Sequence, residues 1–181
     1  MIATSLLKPA AVDALSRAPH PSQSWEVHHM QRGDVAAVKL LFRKLHAFNT
    51  ALDPRFALSE TWEARFDAAI EHALHGGETL CLIAIDATTG QPCGFALAAV
   101  HRDSDMWRYH EWVEVEALYV EDAWHGCGLA ESLLSSTDEW ANSLGQTVVQ
   151  LYVTASNTRA IRFYQHEGFQ TTQEIMRKVL A

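Results

Sequence analysis

VEVEALYVEDAWHGCGLAESLLSSTDEWA, residues 113–141, divides into a strand, a glycine-bearing loop and a helix. Val113, Val115 and Val120, with Leu118 and Tyr119 among them, supply the β-branched and aromatic run of a strand. His125-Gly126-Cys127-Gly128-Leu129-Ala130 follows, and Leu129, Leu133, Leu134, Trp140 and Ala141 then recur at helical spacing. The first N–H groups of a helix have no acceptor in their own helix, and the macrodipole adds partial positive charge at that end. Gly126 and Gly128 let the main chain approach a ligand closely, and Ala130 keeps the first turn narrow. The layout predicts an anion site, and a phosphate is its natural occupant.

The chain has 181 residues, 48% of them hydrophobic, which suffices for one sizeable core and one domain. A formal charge of −8 argues against a nucleic-acid partner, whose phosphates select basic patches. An acidic balance suits a cationic or amine substrate better, although net charge mostly serves solubility. Cys81, Cys93 and Cys127 form no CxxC pair and are odd in number, which predicts a reducing, cytoplasmic setting without disulfides or zinc. No apolar run reaches the length of a membrane span, so no membrane partner is expected. The ten histidines, including His28-His29 and His72 with His75, show no ligand spacing, and no metal is assigned.

Residues 1–24 carry Pro9, Pro19 and Pro21 and are expected to be a loosely ordered extension. Lys8-Pro9 interrupts the apolar Leu6-Leu7, so no signal peptide is expected. Residues 25–181 then form a single domain. Trp25 to Met30 reads as a strand, and Asp34 as the cap of a helix with Val35, Val38, Leu41, Phe42, Leu45 and Phe48 on one face. After Asp53-Pro54, Ser59 opens a second helix, with Trp62, Phe66, Ile70 and Leu74 at core spacing; Gly76-Gly77 ends it. Thr79 to Ile85 and Pro92 to Val100 read as a hairpin about Thr89-Gly90, and Tyr109 to Val120 as a long third strand. The next helix ends near Gly145, Val148 to Val153 is a strand, Asn157 to Glu167 a helix, and Phe169 to Leu180 supplies one or two closing strands. The order β-α-α-β-β-β-α-β-α-β describes an α/β domain with a mostly antiparallel sheet and one βαβ crossover.

Two motifs in this order resemble the GNAT superfamily of acyl-CoA-dependent N-acyltransferases. The family's pyrophosphate motif is Gln/Arg-x-x-Gly-x-Gly/Ala after a strand ending Leu-Tyr/Phe-Val. Here Leu118-Tyr119-Val120 precedes His125-Gly126-Cys127-Gly128-Leu129-Ala130, with His125 where the family has Gln or Arg. The second motif is Asn157-Thr158-Arg159-Ala160-Ile161-Arg162-Phe163-Tyr164, followed by Gly168-Phe169. The resemblance implies a GNAT-like α/β (α+β) fold: a mixed, mostly antiparallel sheet of six to seven strands flanked by four helices and splayed at the acyl-CoA site. It also implies acetyl-CoA as cosubstrate, with the pyrophosphate on the amides from Gly126 to Ala130. The pantetheine would lie as an added strand against Leu118 to Val120, in reach of Asn157. Asn157 equally suits a helix cap, and the two roles are compatible. Homodimers are common in the family, but no residue here requires one.

Acyl transfer to an amine needs a proton acceptor, a stabilised oxyanion and a proton for the departing thiolate. Glu114 and Glu116 lie two apart and project to one face if no bulge intervenes, so either is a candidate base; each is as readily the solvated side of a half-buried strand. The N–H near Val120 is the natural oxyanion donor. By the resemblance, Tyr164 protonates the coenzyme A sulfur; a core tyrosine is the plain alternative. A thiol at a helix start can have a lowered pKa, but at Cys127 the reading preferred is that only the main chain matters. Family layout suggests two groups of acceptor contacts: Trp107, Tyr109 and Trp112, and His46, Phe48, Asp53 and Phe56. The expected function is N-acetyl transfer from acetyl-CoA to a primary amine, on a small molecule or a protein, by direct attack in a ternary complex. The alternative is a non-catalytic acyl-CoA-binding regulatory module on the same fold.

Overall fold

The structure, a computed structural model, describes residues 24–179, so the expectation for the N-terminal extension lies outside the described residues but for Ser24. The elements are β1 (Trp25–His29), α1 (Val35–Leu52), α2 (Trp62–His75), β2 (Thr79–Asp86), β3 (Pro92–Arg102), β4 (Glu111–Val120), α3 (Leu129–Ser143), β5 (Val149–Leu151) and α4 (Thr158–His166). The sheet runs β1-β2-β3-β4-β5: the first four strands are antiparallel neighbours in chain order, and β5 joins β4 in parallel after the α3 crossover. Short loops join β2 to β3 and β3 to β4 as antiparallel neighbours, β1 reaches β2 through α1 and α2, and α3 makes the parallel step to β5 possible.

Strand alternation sends Leu80, Leu82, Ala84, Ala96 and Ala98 towards α3, and Cys81, Ile83, Phe95 and Leu97 towards α1 and α2. On α3, Leu129 and Leu133 are one turn apart and fully buried, and truncating either to Ala would cost about 2–5 kcal/mol. Thr137, the one buried polar side chain among the described residues, bonds Leu133 O at 2.9 Å and so carries no unmet donor. Across the sheet, Phe42 of α1 packs its ring on Trp62, Phe66 and Phe95, tying both helices to β3.

Several boundaries differ from the sequence reading. Helix α2 begins at Trp62 because Ser59 O already accepts the Trp62 N–H (3.1 Å) in a preceding turn. Asp34 precedes α1 but does not cap it; its carboxylate takes the Gln31 N–H (2.9 Å) and faces His28 Nε2 (3.1 Å). Strand β4 starts at Glu111, not Tyr109, since His110 Nδ1 bonds Trp107 O (2.9 Å) within a turn. Strand β5 shrinks to Val149–Leu151, because β4 offers partners only from Val113 to Val115. The sheet has five strands among the described residues rather than six to seven. Residues 169–179 form no strand, because residues 170–179 make no hydrogen bond to any other described residue.

Gly94 was not singled out by sequence, yet a Cβ there would lie 3.0 Å from Tyr119 O and 3.4 Å from side-chain atoms of Leu129 and Leu133. It lets β3, β4 and α3 meet beside the loop after β4. Gly94→Val should lower the unfolding free energy by about 1–3 kcal/mol through overpacking. Urea denaturation measures this, and an unchanged midpoint would refute the tight fit.

Candidate active site

The β3–β4 register breaks once. Leu97 faces Ala117 and Ala98 faces Val115, which leaves Glu116 as an extra residue without a partner. Such a bulge bends the strand and shifts its phase by one. Before it, Val113 packs towards α3; beyond it Leu118 and Val120 do, while Ala117 and Tyr119 turn to α1 and α2. Main-chain groups shift likewise. The Glu121 N–H bonds Cys93 O on the β3 side (2.9 Å), so alternation turns the main-chain groups of Leu118 and Val120 outward. Among the described residues no strand meets them there, because β5 has parted from β4 after Val115. A wedge thus opens along residues 116–120.

Glu114 and Glu116 therefore do not share a face by simple alternation; the bulge falls on Glu116 itself. The two carboxyls still feel each other. Burial is the main cause that raises the Glu116 pKa, the Glu114 charge raises it further, and His101 opposes both. The residue nonetheless keeps an exposed surface, so its carboxyl is both partly desolvated and reachable. The Trp112 indole N–H points at Glu114 Oε2 (3.4 Å), and its ring lies 4.5 Å from that of His101. Sequence reasoning missed His101, whose place opposite Trp112 depends on strand register.

Beyond β4, a short turn (Asp122–Trp124) leads through His125 to Gly128, which stands at the N-terminus of α3. Gly126 (φ +74°) and Gly128 (φ +95°) both occupy the left-handed region that side chains disfavour. Among the described residues, the main-chain N–H groups from Gly126 to Glu131 have no acceptor, and no side chain caps the helix. This is the donor set a diphosphate requires, so the residues present fit the coenzyme that the sequence implied. The His125 side chain turns back: Nε2 donates to Val120 O (2.9 Å) and Nδ1 lies 3.4 Å from Asp122 Oδ1. It braces the loop from within. Cys127 Sγ bonds Trp124 O (2.9 Å), and its half-buried side chain packs against the α3-side core. Leu129 is fully buried and Ala130 partly so, which anchors the first turn.

Asn157 Oδ1 accepts the Ala160 N–H (3.1 Å), so the cap reading holds at the start of α4. Tyr164 lies on that helix between Phe163 and Phe169, with ring centroids 5.2 and 5.6 Å away. Burial pushes its phenol up to about 12. At neutral pH it is a protonated donor, and its hydroxyl has no hydrogen-bond partner among the described residues. Tyr119, by contrast, donates to Glu121 Oε2 (3.3 Å), and Glu121 pairs with Lys44 of α1.

Of the acceptor candidates, Trp112 lies beside the carboxyls, while Trp107 and Tyr109 are exposed in the turn before β4. His46 and Phe48 lie on α1 itself; His46 Nδ1 bonds Phe56 O (3.2 Å) and so ties down the loop after the helix, and Phe48 and Phe56 are both exposed. Asp53 is engaged by Arg55, whose hydrogen bonds hold its carboxyl down at about 2. Among the described residues no three His, Cys, Asp or Glu gather as metal ligands, and no helix is long and apolar enough to cross a membrane.

Comparison with known proteins bears on this geometry. An uncharacterized N-acetyltransferase of Methanocaldococcus jannaschii is 28% identical over 86 residues, which are 48% of this chain and 38% of that protein's length. Among solved structures, AAC(6')-Iy in complex with the bisubstrate analog CoA-S-monomethyl-acetylneamine superposes with a TM-score of 0.69 at 18% identity, covering 87% of this chain and 99% of that one. A mutant of the BH1408 protein from Bacillus halodurans gives a TM-score of 0.75 at 15% identity, over 86% of this chain and 99% of that one. At these identities the likeness is one of fold. Residues 45–169 match the model of the acetyltransferase (GNAT) family, and that match runs from the second half of α1 through the strands of the wedge and the glycine loop to α4. The chain belongs to the acetyltransferase (GNAT) family.

Proposed function

We propose that this chain transfers an acetyl group from acetyl-CoA to a primary amine by direct attack within a ternary complex. The carrying observation is the wedge: unpaired main chain on β4, with a bulged glutamate at one end and free loop N–H groups at the other. The N–H groups from Gly126 to Ala130 hold the diphosphate. The Leu118 main chain pairs with the amides of the pantetheine arm, as an added strand would, while the Val120 carbonyl is held by His125. The Asn157 amide, its oxygen committed to the cap, has its NH2 free for the same arm.

The thioester then lies beside Glu116. An amine is protonated at neutral pH, and Glu116, directly or through water, takes the proton; its raised pKa makes it a better acceptor than a solvated carboxylate. Glu114 tunes it through its charge. The nitrogen attacks the carbonyl carbon, the Val120 N–H faces the oxyanion, the C–S bond breaks, and the Tyr164 phenol gives its proton to the sulfur; the second proton that the nitrogen sheds as the amide forms returns through water to the tyrosinate. The solved bisubstrate complex pairs CoA with an acetylneamine, which makes amine-rich small molecules the first acceptors to try. The acidic balance of the chain, −8 overall, favours the approach of such cations.

Release of free thiol from acetyl-CoA over an amine panel tests the proposal. Tight coenzyme binding with no transfer to any amine would favour the regulatory module instead. Tyr164→Phe should lower kcat by about tenfold or more with coenzyme affinity unchanged; a variant turning over at the parent rate would remove the acid role. Glu114→Gln removes a negative neighbour that raises the Glu116 pKa. The acid limb of the kcat/KM–pH profile should therefore move to lower pH, and a limb that stays or moves up would exclude Glu116 as the titrating base. Gly128→Val, at φ +95°, should weaken coenzyme binding by about tenfold or more, measured by calorimetry, whereas Cys127→Ala should bind as the parent does. Equal losses in both would place the side chain of Cys127 in the site.

A further inference from the structure

His125 opens the glycine loop, and its ring is held from two sides. Nε2 donates to Val120 O at 2.9 Å, and Nδ1 stands 3.4 Å from Asp122 Oδ1. A carbonyl and a carboxylate can only accept. A neutral imidazole has one N–H, and here Nε2 carries it, so Nδ1 turns a lone pair towards the carboxylate. The imidazolium has two N–H groups and meets both acceptors. The seat is shaped for the charged ring.

The surroundings point the same way. The His125 side chain is 29% exposed, so solvent screens it only in part. From β4 it meets the Val120 carbonyl, and from its own turn Asp122. The neighbouring charges are engaged elsewhere: Glu121 pairs with Lys44 of α1 and accepts from Tyr119, and the Glu131 charge of α3 acts on His166 of α4. Among the described residues, the run of N–H groups without acceptors begins at the very next residue, Gly126. A diphosphate seated on them brings negative charge close to the ring, and an anion so placed favours the cationic form.

We propose, resting on the coenzyme-binding reading of this loop, that His125 takes up a proton as the coenzyme binds, so that the cradle holds the diphosphate more tightly as the pH falls. His125 is then a positioning residue. Its ring turns back to β4, and the added proton completes the bond to Asp122, which fixes the loop from within while Gly126 and Gly128 aim their N–H groups outward. The proton comes from solvent and returns to it when the coenzyme leaves. The bound state holds more protons than the free one, so affinity rises as pH drops. Neither Gln nor Arg, the residues of the motif at this place, changes charge between about pH 5 and 8, so the dependence belongs to the histidine.

Calorimetry on the full chain with dephospho-coenzyme A tests this. That probe keeps the diphosphate and lacks the 3′-phosphate, a monoester that itself titrates at about pH 6. The Asp122 side chain is 97% exposed, which limits the strength of the pair, so the parent should bind about threefold more tightly at about pH 6 than at about pH 8. The heat of binding should also vary with the ionisation enthalpy of the buffer. In His125→Gln the ratio should fall to about one, whether the amide reaches Val120 or turns outward, because it takes up no proton. Asp122→Asn should shrink the ratio as well, since an amide can bond either form of the ring. Far-UV circular dichroism reports whether each variant keeps its fold; should His125→Gln fail to fold, Asp122→Asn decides. A ratio that persists in both variants overturns the proposal, because another group would then hold the proton. Binding of equal strength at both pH values overturns the proposal alone, whereas no binding at either overturns the coenzyme cradle and the proposal with it.

Discussion

A single unmatched residue separates two regimes of β4. From Val113 to Val115 the strand is paired on both sides; beyond Glu116 it is paired on one. Main-chain hydrogen bonds in a sheet interior are obligatory, so a strand that gives up a neighbour must replace it with water or with a ligand that offers the same donors and acceptors. Coenzyme A has amides along its arm and is suited to that vacancy. The bulge also carries the Glu116 carboxyl to the mouth of the wedge, so in the proposed mechanism one local irregularity serves both binding and proton transfer.

The protein is acidic, yet the loop beyond β4 is built for an anion. At physiological salt, charges more than about 8 Å apart are largely screened, so the local donors outweigh the distant surface charge. Lys44 of α1 is already held by Glu121. What remains are main-chain dipoles, and these need no counter-charge. Their aim depends on two glycines in the left-handed region and on His125, which ties the loop back to the Val120 carbonyl. A longer Gln or Arg side chain at that position would be free to reach outward. Histidine supplies rigidity.

Much of this was legible in the residues. The 3.6-residue spacing of Leu129 and Leu133, and of Phe66 and Ile70, marked the helices correctly because each stripe meets one flat sheet face. The glycine loop was legible because left-handed backbone has few alternatives to glycine. Three things were not. The resemblance implied a bulge in this strand, but its place at Glu116 is a property of two strands in register, and nothing near Glu116 alone announces it. Gly94 looked like any strand glycine; its role comes from Tyr119, Leu129 and Leu133 converging on it. The closing strands failed for a related reason: residues 169–180 have strand composition, but a strand also needs a neighbour, and composition says nothing of where one is.

Trp124, in the turn that opens the loop, stands edge-on against Trp25 at 6.0 Å between ring centroids, and the Trp25 ring also borders Gly128. The two indoles lie almost a hundred positions apart in the chain. A contact of such sequence separation closes a long loop and carries the entropy cost of doing so. The donor cradle is therefore complete only when residues from both halves of the chain have met. A half-made chain would leave the cofactor pool untouched, and capture of the coenzyme would mark the moment at which the first strand has come home.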